Sequence, residues 1–116
     1  MAFYFNMTPT TLTSLAELDQ LKQTQSAFVL YITDGTCNVG ENVGPKLEKL
    51  VIEQFPKMEL HYVYTSLAPE IAAQLSVFVI PTVLVFFDGK LTIQKSRTFS
   101  LEQLESEIER YYNMLF

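Results

Sequence analysis

Residues 28–55 read FVLYITDGTCNVGENVGPKLEKLVIEQF, and this stretch holds the chain's only cysteine. It opens on an unbroken apolar run, Phe28 to Ile32, which breaks at Asp34-Gly35. Such a run fits a strand covered on both faces, and therefore one near the middle of a sheet. Cys37 follows where a helix would begin. At a helix N-terminus the unpaired backbone N–H groups and the positive end of the dipole favour a thiolate over a thiol. Leu47, Leu50, Val51 and Gln54-Phe55 continue a helical spacing, with Pro45 inside the pattern. Proline in a helix interior costs about 3 kcal/mol and bends it, so a kink is expected near Gly44-Pro45.

Upstream, Phe3-Tyr4-Phe5 reads as a first strand at the side of the sheet, and a Thr/Pro-rich connector runs on through Thr13. Ser14 and Glu17 form a capping box for a helix whose apolar stripe is Leu15, Leu18 and Leu21, ending near Gln25. Downstream, Met58 to Tyr64 is a third strand. Ala68 to Gln74 is a short helix with Pro69 in its first turn. Thr82 to Phe87 and Leu91 to Lys95 flank Asp88-Gly89, a two-residue hairpin signal. Ser100 caps the last helix with Gln103 at the capping-box position, and Leu101, Leu104, Ile108 and Tyr111 or Tyr112 form its buried side. The order β-α-β-α-β-α-β-β-α implies an α/β sandwich whose sheet is parallel in its first part and closed by an antiparallel hairpin, with helices on both faces.

At 116 residues, 48% of them hydrophobic and 13% aromatic, the chain reads as a single globular domain over 1–116 that buries one core without staples. Its formal charge of −5 argues against a nucleic-acid partner, whose phosphates demand a basic face. No stretch is long enough to span a bilayer. The N-terminal MAFYFNMT lacks the basic flank, sustained apolar core and small-residue cleavage site of a leader, so a cytoplasmic location is expected. A lone cysteine forms no internal disulfide, which suits a reducing compartment.

The strand, short loop, Cys37 at the helix start and Pro45, followed by Ile80-Pro81-Thr82 before an apolar strand and by the Asp88-Gly89 turn, together resemble thioredoxin. The likeness runs from Phe3 to the C-terminal helix and rests on order and spacing. It implies a three-layer sandwich with strand order 1-3-2-4-5, an attacking thiol at Cys37 and a cis proline at Pro81. The backbone before that proline would hydrogen-bond an extended substrate, in a groove lined by Val39, Val79, Ile80 and Phe99. Such a groove is apolar and suited to a peptide.

Departures from the family pattern are equally specific. Cys37-Asn38-Val39-Gly40 stands where the family has Cys-x-x-Cys, so Gly40 replaces the resolving cysteine and a dithiol cycle within one chain is excluded. The family's tryptophan position holds Thr36, its buried acid aligns with Tyr31, and that acid's lysine partner aligns with Tyr62. Tyrosine, with an ordinary pKa of about 10, is a poor proton acceptor near neutrality. The glycine that lets substrate approach the groove aligns with Arg97, a cation able to narrow the groove or to attract an anionic partner such as a carboxylate-bearing thiol. Glu41 and Asp34 oppose its effect on a Cys37 thiolate.

Three readings compete. The first is monothiol thiol–disulfide exchange at Cys37 with a protein or low-molecular-weight thiol, serving redox homeostasis and allowing a Cys37-linked dimer under oxidation. The second is a binding module that keeps the groove without the chemistry. An iron–sulfur monothiol glutaredoxin fits less well, because Cys-Gly-Phe-Ser is absent and an N-terminal strand and helix are added. No cofactor is expected. His61, the only histidine, reads as structural, and the chain offers no ligand set for zinc.

Overall fold

The computed structural model describes residues 10–34 and 43–116. Five strands form one mixed sheet in the order β1-β3-β2-β4-β5. They are β1 Thr10–Thr11, β2 Ala27–Thr33, β3 Glu59–Tyr64, β4 Thr82–Phe87 and β5 Lys90–Ser96, and the helices are α1 Leu15–Thr24, α2 Val43–Gln54, α3 Pro69–Gln74 and α4 Leu101–Leu115. The parallel pairs are β1 with β3 and β3 with β2; β2 with β4 and β4 with β5 are antiparallel. This is the α/β architecture and strand order expected from the sequence.

β2 is the central strand, and all seven of its residues are buried. Its alternate side chains feed two separate cores, as a strand's period of two requires. Ala27, Val29 and Tyr31 join Leu47 and Val51 of α2 and Leu104 and Ile108 of α4. Phe28, Leu30 and Ile32 join Leu18 of α1 and Ile71 and Ala72 of α3. The unbroken apolar run in the sequence is therefore two interleaved apolar faces.

Local signals set the helix ends. The Ser14 hydroxyl accepts the Glu17 N–H at 3.2 Å, and the Ser100 hydroxyl accepts the Gln103 N–H at 3.1 Å. The expected return contact of the first box shifts by one residue: the Glu17 carboxylate accepts the Thr13 N–H at 2.7 Å. That bond leads the influences that lower the Glu17 pKa. The first strand also differs from expectation. The strand paired with β3 is Thr10–Thr11, inside the stretch read as a connector, whereas Phe3-Tyr4-Phe5 lies outside the described residues. A threonine pair favours extended backbone, but the aromatic run carries the stronger sequence signal. Pro45 is the third residue of α2 as described, and the preceding residues, 35–42, lie outside the described residues.

At the β4–β5 turn both Asp88 (φ 56°) and Gly89 (φ 75°) adopt the left-handed backbone of a two-residue hairpin. The Asp88 N–H donates to the Ser26 carbonyl at 2.8 Å, which ties the hairpin to the start of β2.

Candidate functional site

The antiparallel register of β2 and β4 sets Ile32 across from Thr82. The end of β2 and the residues ahead of β4 therefore share one edge of the sheet. The chain leaves β2 there and reaches Cys37 four residues after Thr33. Cys37, Val39 and Gly40, with Thr36, Asn38 and Glu41, lie outside the described residues. Val79, Ile80, Pro81, Arg97 and Phe99 are described.

The Ile80–Pro81 peptide bond is cis. Two hydrogen-bonding groups fix the backbone around it. The Thr82 hydroxyl, fully buried, donates to the Val79 carbonyl and lies 2.9 Å from the Ser96 hydroxyl. The Arg97 N–H donates to the Pro81 carbonyl at 2.7 Å. Strand β5 is thereby closed onto the proline, and Arg97 is brought beside it. Val79, Ile80 and Pro81 are half-buried, Ile80 packs on the α1/α3 core, and Phe99 packs on the α2/α4 core. Arg97 is exposed and holds φ 63°. Left-handed backbone is comfortable for glycine and costs other residues about 1–2 kcal/mol.

Phe78 belongs to this edge and is absent from the set of site residues that the sequence suggests. It is 85% exposed, directly ahead of Val79-Ile80-Pro81. A signal for it does exist: an aromatic residue between α3 and β4 has neither helical nor strand periodicity to bury it.

Under the start of α2 sits a cluster of tyrosines. Tyr31 is buried, and its ring meets Tyr62 edge-on with centroids 5.4 Å apart, while Tyr64 stacks on Tyr62 at 5.8 Å. The Tyr62 hydroxyl donates to the Glu48 carboxylate on α2. Burial first, and then the adjoining carboxylate, raise the Tyr62 pKa well above its ordinary value. This hydroxyl stays protonated at neutrality and acts as a donor. Gly44 makes room for it, since a Cβ there would stand 2.7 Å from the Tyr62 oxygen. Glu48 carries no sequence signal, because it meets Tyr62 from another element fourteen positions away.

His61 lies in a different environment. Its ring is buried, with Nδ1 bonded to the Thr10 hydroxyl and Nε2 lying 2.8 Å from the Glu59 carboxylate. It fastens β1 to β3. Among the described residues no group of three or more His, Cys, Asp or Glu side chains could hold a metal ion. No described helix is long and apolar enough to cross a membrane.

The sheet order and the proline edge define a thioredoxin fold, and comparison with known proteins agrees. No family model matches the chain. Thioredoxin-like protein YdfQ of Bacillus subtilis (strain 168) is 34% identical over 106 residues, covering 90% of this chain and 93% of that protein. The structure is similar to a mutant thioredoxin from Halobacterium salinarum NRC-1, with a TM-score of 0.79, 20% identity and coverage of 91% of this chain and 92% of that one. It is also similar to mitochondrial thioredoxin 3 from Saccharomyces cerevisiae, with a TM-score of 0.77, 24% identity and coverage of 88% and 94%. The chain belongs to the thioredoxin-like family.

Proposed function

We propose that this protein performs monothiol thiol–disulfide exchange through Cys37, as a redox protein of the thioredoxin type. The reading is supported by one juxtaposition above all. Strand β2, which leads into the Cys37 segment, pairs with β4, and the Phe78–Pro81 backbone ahead of β4 lies outside the sheet's ladders. An extended substrate can pair with such a backbone.

In the proposed reaction the Cys37 thiolate attacks one sulfur of a partner disulfide. A mixed disulfide forms and the second partner sulfur leaves as a thiolate. With Gly40 in the resolving position, a second thiol from outside attacks the mixed disulfide, takes over the partner and returns Cys37 as a thiolate. Two chains that meet in place of such a thiol would be joined through Cys37 under oxidation. A reducing compartment, the cytoplasm, is the setting in which this cycle turns over.

The test is the pH dependence of Cys37 alkylation, with Cys37→Ser as control, together with release of a preformed mixed disulfide by added thiol. The expected result is an apparent thiol pKa clearly below about 8.5 and release of the bound partner. An ordinary or inert thiol would overturn the proposal.

A second reading, a binding module without chemistry, is favoured by Gly40, Tyr31, Tyr62 and Arg97. The Tyr62–Glu48 bond places a protonated donor where the resemblance implies a lysine serving a buried acid. An inert Cys37 combined with retained peptide binding would select this reading.

A further inference from the structure

We infer that Arg97 and Phe78 together select the protein partner, favouring an extended segment that carries a carboxylate close to an apolar side chain. The inference builds on the groove in the proposal above, but it stands on different groups and does not need Cys37 to react.

The first observation is the contrast between two cations on neighbouring positions of one edge. Lys95 Nζ is held by the Glu107 carboxylate at 2.9 Å. Two residues further on, the Arg97 guanidinium has no ion pair with any described carboxylate, although the chain carries 13 acidic and 8 basic residues. The backbone of Arg97 is fixed against the Pro81 carbonyl, and its left-handed φ is one that glycine would adopt more easily. The guanidinium carried on that backbone is a planar, bidentate donor fork suited to a carboxylate.

The second observation is Phe78. It is the most exposed large hydrophobic side chain among the described residues, and it continues the half-buried strip of Val79, Ile80 and Pro81. A small carboxylated thiol would satisfy Arg97 and leave this ring in water. A protein segment satisfies both, because alternate residues of an extended chain present a charged and an apolar side chain on one face, about 7 Å apart. The net charge of −5 opposes an acidic partner at long range. Salt screens that opposition beyond about 8 Å at physiological ionic strength, so Arg97 has to act by direct contact.

The experiment uses the full chain bearing Cys37→Ser, so that binding is read without exchange. Three labelled ten-residue peptides are titrated by fluorescence anisotropy. One carries Glu two positions from Leu, the second Gln two positions from Leu, and the third Glu two positions from Ser. The Glu-Leu peptide is expected to bind about ten-fold more tightly than the Gln-Leu peptide, by a charge-assisted bidentate bond, with the advantage shrinking as salt rises. Arg97→Gln should erase that ratio, mainly by weakening the Glu-Leu peptide, and Arg97→Lys should restore only part of it. Phe78→Ser should weaken both Leu peptides and leave the Glu-Ser peptide unaffected. Equal binding of the Glu-Leu and Gln-Leu peptides, or a ratio that survives Arg97→Gln, overturns the inference. So does glutathione binding as tightly as the Glu-Leu peptide. An inert Cys37 with the ratio intact would remove the exchange reaction and leave this selection standing. Exchange without any ratio would do the reverse.

Discussion

The two ends of strand β4 handle left-handed backbone in opposite ways. At the hairpin end, φ values of 56° and 75° fall on Asp88 and Gly89, residue types that tolerate them, and the turn is fixed by the Ser26 carbonyl. Ser76, with φ 58°, is also accounted for. It closes α3 with its N–H on the Ala73 carbonyl and the Val77 N–H on the Ala72 carbonyl, a standard helix stop. At the proline end the same conformation falls on Arg97, which supplies no turn or cap chemistry of this kind. Residue type and backbone agree at the hairpin, and at Ser76 the helix-stop hydrogen bonds offset the mismatch. They disagree beside the candidate site, which is where local rules are most often broken for function.

This contrast can be broken by substitution, and the largest effect is expected at the hairpin. Gly89→Val would force a left-handed valine and bring a Cβ to 2.9 Å from the Lys22 carbonyl, a backbone atom that cannot swing aside. The combined strain should cost about 3 kcal/mol, read as a lower urea midpoint with an unchanged slope. A wild-type midpoint would mean that the hairpin end is no more constrained than the proline end.

The next effect lies under α2. Tyr62→Phe deletes the bond to Glu48 and should cost about 1 kcal/mol near neutrality. Its pH dependence is more telling. The Tyr62 pKa is raised on folding, so its contribution is fully present below the ordinary tyrosine value of 10.0 and is lost as pH climbs above it. Stability measured from pH 8 to 11 should therefore fall more steeply in the wild type than in Tyr62→Phe. Parallel curves would refute the donor role given to this hydroxyl.

The smallest effect, and the one that sharpens the contrast most, is Arg97→Gly. Relief of the left-handed backbone is worth about 1–2 kcal/mol, and the looser unfolded chain takes back about 0.4–1 kcal/mol. The net is a gain of about 0–1.6 kcal/mol in thermal or chemical unfolding. A loss of stability would show that Arg97 serves the fold, and the reason for linking it to partner selection would go with it.

The fold is legible in the sequence because its signals are local or periodic. The Phe28–Ile32 run, the Ser14 and Ser100 caps and the Asp88-Gly89 turn each determine their own surroundings, and the alternation of strands with helices leaves few topologies open. Edge pairing is harder to read. Thr10–Thr11 becomes a strand because His61 and the β3 backbone receive it, a cue that no inspection of residues 1–13 contains. At the candidate site, Pro81 and Arg97 can be picked out by their order along the chain. Phe78 is harder to weigh, because its degree of exposure depends on the path of the chain between α3 and β4. The Tyr62–Glu48 bond is out of reach of sequence because it joins two elements whose separation is set only by the packing of α2 on the sheet.

The sheet's borders have a further consequence. The outer strand β5 carries Lys90 and Lys95, charges that discourage a second chain from stacking along that border into a polymer. With that flank blunted, the docking of an extended partner proposed above falls to the backbone from Phe78 to Pro81. On that proposal the protein is sociable at one short address without becoming sticky along this border.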